Sequence, residues 1–253
     1  MAKIIALFNQ KGGVGKTTTA VNLTASLTKL GKKVLLVDVD PQGHSGSGLG
    51  LDKDRCSPNA FHVILENEPA ENAVHSTKFG DVIPANKELF GAGITMSGVP
   101  NREYVLKTAL EPLKDRYDYI FIDCPALLEL LTLNALCAAD SLLIPVQCEY
   151  LALEGLSDLM TSFKLIKRGL NPELEILGVV LTMYDGRTNL SSQVAAEVKR
   201  YFRDKVFKIP IPRNVRLSEA PSHSKPVLAY DGTSKGSKAY LDLAGEIISR
   251  TRN

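Results

Sequence analysis

Directly after the apolar run Ile4-Ile5-Ala6-Leu7-Phe8, the chain reads Asn9-Gln10-Lys11-Gly12-Gly13-Val14-Gly15-Lys16-Thr17-Thr18. A strand that ends in a glycine-rich turn and opens a helix aims several backbone N–H groups at one point. The helix macrodipole adds positive potential there, so the turn is an anion site. Gly12, Gly13 and Gly15 let the backbone wrap closely around phosphates, because no Cβ blocks the approach or the positive φ values. Lys16 supplies a point charge for β- and γ-phosphates, and the Thr17 hydroxyl is placed to ligate Mg²⁺. The ordinary phosphate-loop pattern has glycine six residues before that lysine. Here Gln10 holds that position, and a second lysine, Lys11, opens the loop. A glycine-rich turn that binds nothing is the competing reading; the strand–turn–helix context selects the nucleotide site.

Short apolar runs alternate with longer periodic ones, which is the pattern of a parallel sheet flanked by helices. Strands are predicted at Lys3–Phe8, Lys33–Val37, Tyr119–Ile122, Ser141–Val146 and Glu175–Thr182. Helices are predicted at Thr17–Leu30 (stopped by Gly31), Leu153–Arg168, Asn189–Phe202 and Ser234–Arg250. The stretch from Gly43 to Gly98 is glycine-dotted and weakly periodic, and no element boundary is assigned there. The expected fold is α/β, a single-domain phosphate-loop NTPase with a mostly parallel twisted sheet and helices on both faces. With 253 residues, 44% of them hydrophobic, one domain over residues 1–253 can bury a full core.

In such sheets ligands bind outside the carboxyl ends of the strands. Asp38, Asp40 and Asp123 each fall at or just past a strand end, so all three are expected to converge on the loop. Thr17 and Asp123 are the candidate metal ligands. Asp38 and Asp40, two residues apart, share a strand face; one of them could instead be a turn-former before Pro41-Gln42-Gly43.

No run reaches the length of a membrane span, and the first strand starts too early to leave room for a signal peptide. Cys56, Cys124, Cys137 and Cys148 lie far apart without a Cys-x-x-Cys pair, which argues against a disulfide or metal framework and for a reducing cytosol. The formal net charge is only +2. Its distribution is uneven. From Arg187 to Arg216, eight basic residues (Arg187, Lys199, Arg200, Arg203, Lys205, Lys208, Arg213, Arg216) face two acidic ones (Glu197, Asp204), a local +6 that leaves −4 for the remainder. A local basic face of this kind is the footprint of a polyanion partner.

Several stretches together resemble the deviant Walker A ATPases and, within them, the ParA/Soj chromosome- and plasmid-partition proteins. Besides the loop, they are Val37-Asp38-Val39-Asp40-Pro41-Gln42-Gly43, Ile122-Asp123-Cys124-Pro125, Pro145-Val146-Gln147-Cys148-Glu149-Tyr150 and Ile211-Pro212-Arg213-Asn214-Val215-Arg216-Leu217-Ser218-Glu219-Ala220-Pro221-Ser222-His223. The resemblance covers essentially the whole chain. It implies a slow, partner-stimulated ATPase that uses ATP and Mg²⁺, with residues Lys11, Gly12, Gly13, Val14, Gly15, Lys16, Thr17 and Thr18 around the phosphates. By the same resemblance Lys11, Lys16 and Asp40 are catalytic, Asp40 acting on the attacking water and Asp38 helping to hold the metal shell. Lys11 is implied to cross into the partner's site in an ATP-dependent homodimer. Met183 and Pro212 match positions that pack adenine, although a core methionine and a turn proline read equally well. Arg187 and Arg216 match positions that contact nonspecific double-stranded DNA. The further implied partner is ParB-like, with no membrane involved, and the implied location is the cytoplasm at the nucleoid. No residues are left over for an N-terminal operator-binding domain.

The chain departs from the family pattern in three places. Pro125-Ala126-Leu127-Leu128-Glu129 stands where Pro-Pro-Ser-Leu-Gly is usual, His44 replaces an asparagine, and Ser224 replaces a glycine. The alternative function is a MinD-like membrane-surface ATPase that regulates cell division, which needs a basic amphipathic C-terminal helix. The tail has an apolar stripe (Tyr240, Leu241, Leu243, Ala244, Ile247, Ile248) but carries Asp242 and Glu246, and is expected to pack on the core. A phosphate-loop metabolic enzyme, the third class, lacks an identifiable substrate site in the sequence.

Overall fold

Seven strands form one sheet in the order β3-β4-β2-β5-β1-β6-β7 in the computed structural model, which describes residues 1–150 and 152–252. They are β1 (Lys3–Leu7), β2 (Val34–Asp38), β3 (His75–Thr77), β4 (Gly80–Ile83), β5 (Tyr119–Asp123), β6 (Ser141–Gln147) and β7 (Glu175–Thr182). All neighbours pair parallel except the edge pair β3–β4, which is antiparallel. The strands expected from sequence are present to within a residue at most ends. The hairpin β3–β4 lies in the stretch left unassigned: strands of three and four residues are too short to show a period.

Alternation along the central strands builds two cores. Ile4, Ala6 and Phe8 face one layer, together with Leu35, Val37, Ile120 and Ile122. Ile5 and Leu7 face the other, with Leu36, Tyr119 and Phe121. Because both faces are covered, these strands read as continuous apolar runs. The second layer is closed by α1 (Lys16–Lys29) and the long C-terminal helix, which buries Tyr240, Leu243, Ala244 and Ile247. Tyr240 Oη lies 3.1 Å from Thr19 Oγ1, tying that helix to the one that the glycine loop opens. The tail therefore spends its apolar stripe on the core, as its acidic residues suggested. Among the described residues no helix is long and apolar enough to cross a membrane.

Ser224 adopts φ +51, in the left-handed region that favours glycine. A non-glycine residue there costs about 1–2 kcal/mol, while glycine loses about 0.4–1 kcal/mol through the unfolded chain. Strain wins narrowly. Ser224→Gly is expected to raise stability by about 0.5–1 kcal/mol, or about 2 °C in Tm for a chain of this size, measured by thermal unfolding. An unchanged or lower Tm would show that the serine side chain compensates its backbone.

Candidate functional site

The glycine loop leaves β1 at the carboxyl edge of the sheet, between its neighbours β5 and β6. Its start is pinned on both sides. Asn9 Nδ2 donates to the Pro145 carbonyl (2.8 Å), and Asn9 Oδ1 accepts the Lys11 N–H (3.0 Å). Gln10, at the position where glycine is usual, donates through Nε2 to Ser162 Oγ at 3.1 Å, so here the side chain anchors the loop to the helix Ala152–Gly169. Gly15 caps α1 at φ 87, a conformation that disfavours any side chain. Thr182, the last residue of β7, donates to the Val14 carbonyl (2.8 Å) and fixes the far side of the loop.

Lys16 is the first residue of α1 and is 8% exposed. Its Nζ donates to the Lys11 carbonyl at 3.3 Å. Burial lowers the ammonium's proton affinity, against the opposing pull of Asp123, Cys124 and Asp40. A buried cation next to free backbone donors at a helix start suits a polyanion such as a triphosphate.

Asp38 and Asp123 are direct cross-strand partners at the ends of β2 and β5, and both are buried. Both Asp38 oxygens accept backbone N–H groups, Oδ1 from Asp40 and Oδ2 from Ser45, each at 3.0 Å. Burial, and then the neighbouring Asp123, push the Asp38 carboxyl well above the usual carboxylate range. Burial pushes Asp123 up to about 6, opposed by the hydroxyls of Thr17 and Ser45 and by Lys16. Asp123 Oδ2 accepts the Ser45 hydroxyl at 2.8 Å, whereas Oδ1 is buried without a hydrogen-bond partner. A buried carboxylate oxygen left open beside a threonine hydroxyl fits a hard divalent cation or its water. Among the described residues no cluster of three or more His, Cys, Asp or Glu is built as a protein-only metal cage. Mg²⁺ does not need one, since it is held by one or two carboxylates plus waters and substrate phosphates.

Asp40 is half-buried just past β2, and its Oδ1 accepts the Gln42 N–H at 2.9 Å. The turn it opens closes at Gly43, φ 62, where a Cβ would collide with the Ala85 carbonyl and the Lys53 side chain. Glycine is obligatory there, and it starts the short helix His44–Gly48 that carries Ser45. Asp40 and Asp123 thus both act on the Lys16 ammonium, and Asp38 joins them as the cross-strand partner of Asp123.

Beside the loop lies a cavity of about 490 Å³, lined by Gly15, Thr18, Met183, Pro212, Asn214 and Tyr240 among others. Met183 is 38% exposed at φ +49, and Pro212 belongs to a bridge with Tyr184. Of the two readings open in the sequence, the structure places both residues on the cavity wall. Ser45 and Tyr240 are site residues that sequence reasoning did not single out as such. Neither carries a local motif, because each reaches the site only through a long-range contact.

The basic segment is not one face. The helix Asn189–Phe202 runs away from the carboxyl edge for 14 residues, about 20 Å at 1.5 Å per residue. It carries Lys199 and Arg200 toward the opposite end of the sheet. There Lys205 and Lys208 line a groove with Ser141, Glu175 and Glu246, at the starts of β6 and β7. Arg203 lies with Lys205 in the turn Arg203–Lys205 that follows the helix, which leaves Arg187, Arg213 and Arg216 at the site end, where the Arg213 N–H donates to the Tyr184 carbonyl (3.0 Å). Asp185 binds Arg187 through Nε (2.9 Å) and Nη2 (2.6 Å). These hydrogen bonds, with Arg213 adding to them, hold Asp185 down to about 2. Arg216 pairs with Glu219 (2.8 Å) and Asp231 (3.3 Å).

The strand order, the loop and the carboxylate pair define a phosphate-loop NTPase. The family described as AAA domain matches residues 2–176. The sporulation initiation inhibitor protein Soj of Bacillus subtilis is 56% identical over 98% of this chain and 99% of its own length. The chromosome partitioning protein ParA of Myxococcus xanthus is 51% identical over 99% of this chain and 89% of its own. Among solved structures, the cobyrinic acid a,c-diamide synthase of Mycobacterium smegmatis with bound ADP and magnesium superposes with TM-score 0.86 at 37% identity. That superposition covers 98% of this chain and 94% of the other. The chain belongs to the Soj/ParA family of chromosome-partitioning ATPases.

Proposed function

We propose that this chain is an ATP-dependent, dimerising ATPase that binds nonspecific double-stranded DNA and segregates chromosome or plasmid DNA together with a ParB-like partner. Lys16 and the loop amides neutralise the phosphates, while Thr17 and Asp123 hold Mg²⁺ with Asp38 behind them. Asp40 directs the attacking water, and Lys11 reaches a second copy's nucleotide. Met183 and Pro212 flank the base. Hydrolysis then releases the dimer, so the nucleotide times the association.

One observation carries the link between nucleotide and DNA. Thr182 and Met183, which wall the cavity, lie four to five residues before Arg187, and the walling segment from Ile211 to Ser218 includes Arg213 and spans Arg216. A base seated there orders the segments that present the arginines. Their carboxylate partners are half-buried but both guanidinium groups are exposed, and ion pairs at the surface are worth about 0–1 kcal/mol, so a DNA phosphate can displace them. The C-terminal helix, with its apolar face in the core, favours DNA over a membrane surface as the target.

Binding to random-sequence DNA, compared without nucleotide, with ADP and with a nonhydrolysable ATP analogue plus Mg²⁺, tests the proposal. Binding is expected to be weak in the first two states and strong in the third, because a dimer engages its second set of phosphates intramolecularly. Log K should fall with log salt by about 0.9 per neutralised phosphate. Arg187→Ala/Arg216→Ala should keep ATP-dependent dimerisation while losing DNA and flattening that slope. A dimer that ignores DNA at low salt but binds anionic liposomes would move the protein to the membrane-surface class.

A further inference from the structure

We infer that Ser45 is a positioning residue for the metal. It locks Asp123 so that one carboxylate oxygen, Oδ1, is left to serve Mg²⁺, and it ties that lock to the turn bearing Asp40. The inference rests on the ATP and Mg²⁺ reading above.

The geometry is bidentate across two elements. Ser45 is 0% exposed, and it binds both members of the buried acid pair at once. Its hydroxyl donates to Asp123 Oδ2 (2.8 Å), and its backbone N–H donates to Asp38 Oδ2 (3.0 Å). Asp38 Oδ1 in turn accepts the Asp40 N–H (3.0 Å). A continuous chain of hydrogen bonds therefore runs from Asp123 through Ser45 and Asp38 to the backbone of Asp40. Asp123 Oδ1 is buried and unpartnered. A carboxylate free to rotate about χ2 would present either oxygen to a cation; with Oδ2 held by a hydroxyl donor, the rotation is arrested and Oδ1 alone is offered.

Nothing local demands a hydroxyl at position 45. The helix His44–Gly48 starts at Gly43, whose left-handed conformation does the capping, and no side chain caps it. The backbone N–H to Asp38 survives any substitution except proline. Removing the hydroxyl thus separates metal positioning from the fold of the turn.

Binding of a nonhydrolysable ATP analogue is measured by calorimetry without Mg²⁺ and across a Mg²⁺ titration, in the full-length chain. Ser45→Ala is expected to raise the Mg²⁺ concentration for half-maximal enhancement about 10-fold, the low end for loss of an outer-sphere partner, while Mg²⁺-free affinity stays at the wild-type value. Ser45→Thr, which keeps the hydroxyl, should stay near the wild-type midpoint. Ser26→Ala is the control, since Ser26 in α1 is equally buried and its hydroxyl has no partner; it should leave the Mg²⁺ midpoint unchanged. An unchanged midpoint in Ser45→Ala would overturn the inference. So would an equal loss of Mg²⁺-free affinity, which would make Ser45 structural only. If the wild-type chain shows no Mg²⁺-dependent nucleotide binding at all, the ATP reading fails first, and that result is distinct from both.

Discussion

Lys16→Ala is expected to abolish measurable Mg·ATP binding while leaving the fold intact. The ammonium is buried at the start of α1, beside the loop amides. Truncating one partner of a buried, hydrogen-bonded charge pair costs about 2–5 kcal/mol, and each 1.4 kcal/mol is tenfold in affinity, so a loss of about one and a half to three and a half orders of magnitude follows. The stability effect runs the other way. Burial already lowers the lysine's proton affinity, which means the folded chain holds this charge at a cost. Alanine removes that cost and is the best helix former at the position. The Tm without nucleotide should therefore stay level or rise, and the thermal shift produced by Mg·ATP should vanish. Calorimetry showing wild-type affinity in this variant would overturn the assignment of the loop as the phosphate site.

Asp40→Ala is expected to separate binding from turnover. Within the chain, the side chain of Asp40 accepts the Gln42 N–H, a bond worth about 0.5–1.5 kcal/mol, so the turn survives its loss. Gly43 still closes that turn through its N–H to the Asp40 carbonyl, at 2.8 Å. What disappears is the carboxylate proposed to direct water, a contribution of about 10²–10⁴ in rate. ATP should bind with near wild-type affinity, phosphate release should fall by that factor, and light scattering in ATP should show a dimer that persists. A monomer with normal hydrolysis would remove Asp40 from the mechanism.

The two variants touch parts of the site that differ in how well they could be read. The loop from Lys11 to Thr18 is legible because its chemistry is contiguous: amides, glycines, lysine and hydroxyl act from adjacent positions, so spacing alone specifies the geometry. Asp38, Asp40 and Asp123 were placed by a single rule, that ligands meet the carboxyl ends of parallel strands, and the Asp38–Asp123 register shows the rule at work. Ser45 could not be found in this way. Its role depends on a hydrogen bond spanning 78 positions of sequence, and a serine after a turn carries no pattern of its own. The basic segment failed for a related reason. Its charge was summed along the sequence, whereas a helix of 14 residues carries charge away from its start at about 1.5 Å per residue. Counting along the chain joined two groups that the helix separates.

The sequence by itself determined the strand–turn–helix core, the phosphate loop and the family, since each is written in short-range pattern: short continuous apolar runs, glycines at fixed offsets, and contiguous motifs. Only the tertiary structure decided which arginines share the nucleotide end of the sheet, that Met183 and Pro212 line one cavity, and that Ser45 holds Asp123. It also decided the backbone at Ser224: the serine takes the left-handed conformation itself. These outcomes depend on distances between segments far apart in sequence. Such distances are set by how the helices return across the sheet and by what the two cores exclude from water, and no local run of residues encodes them.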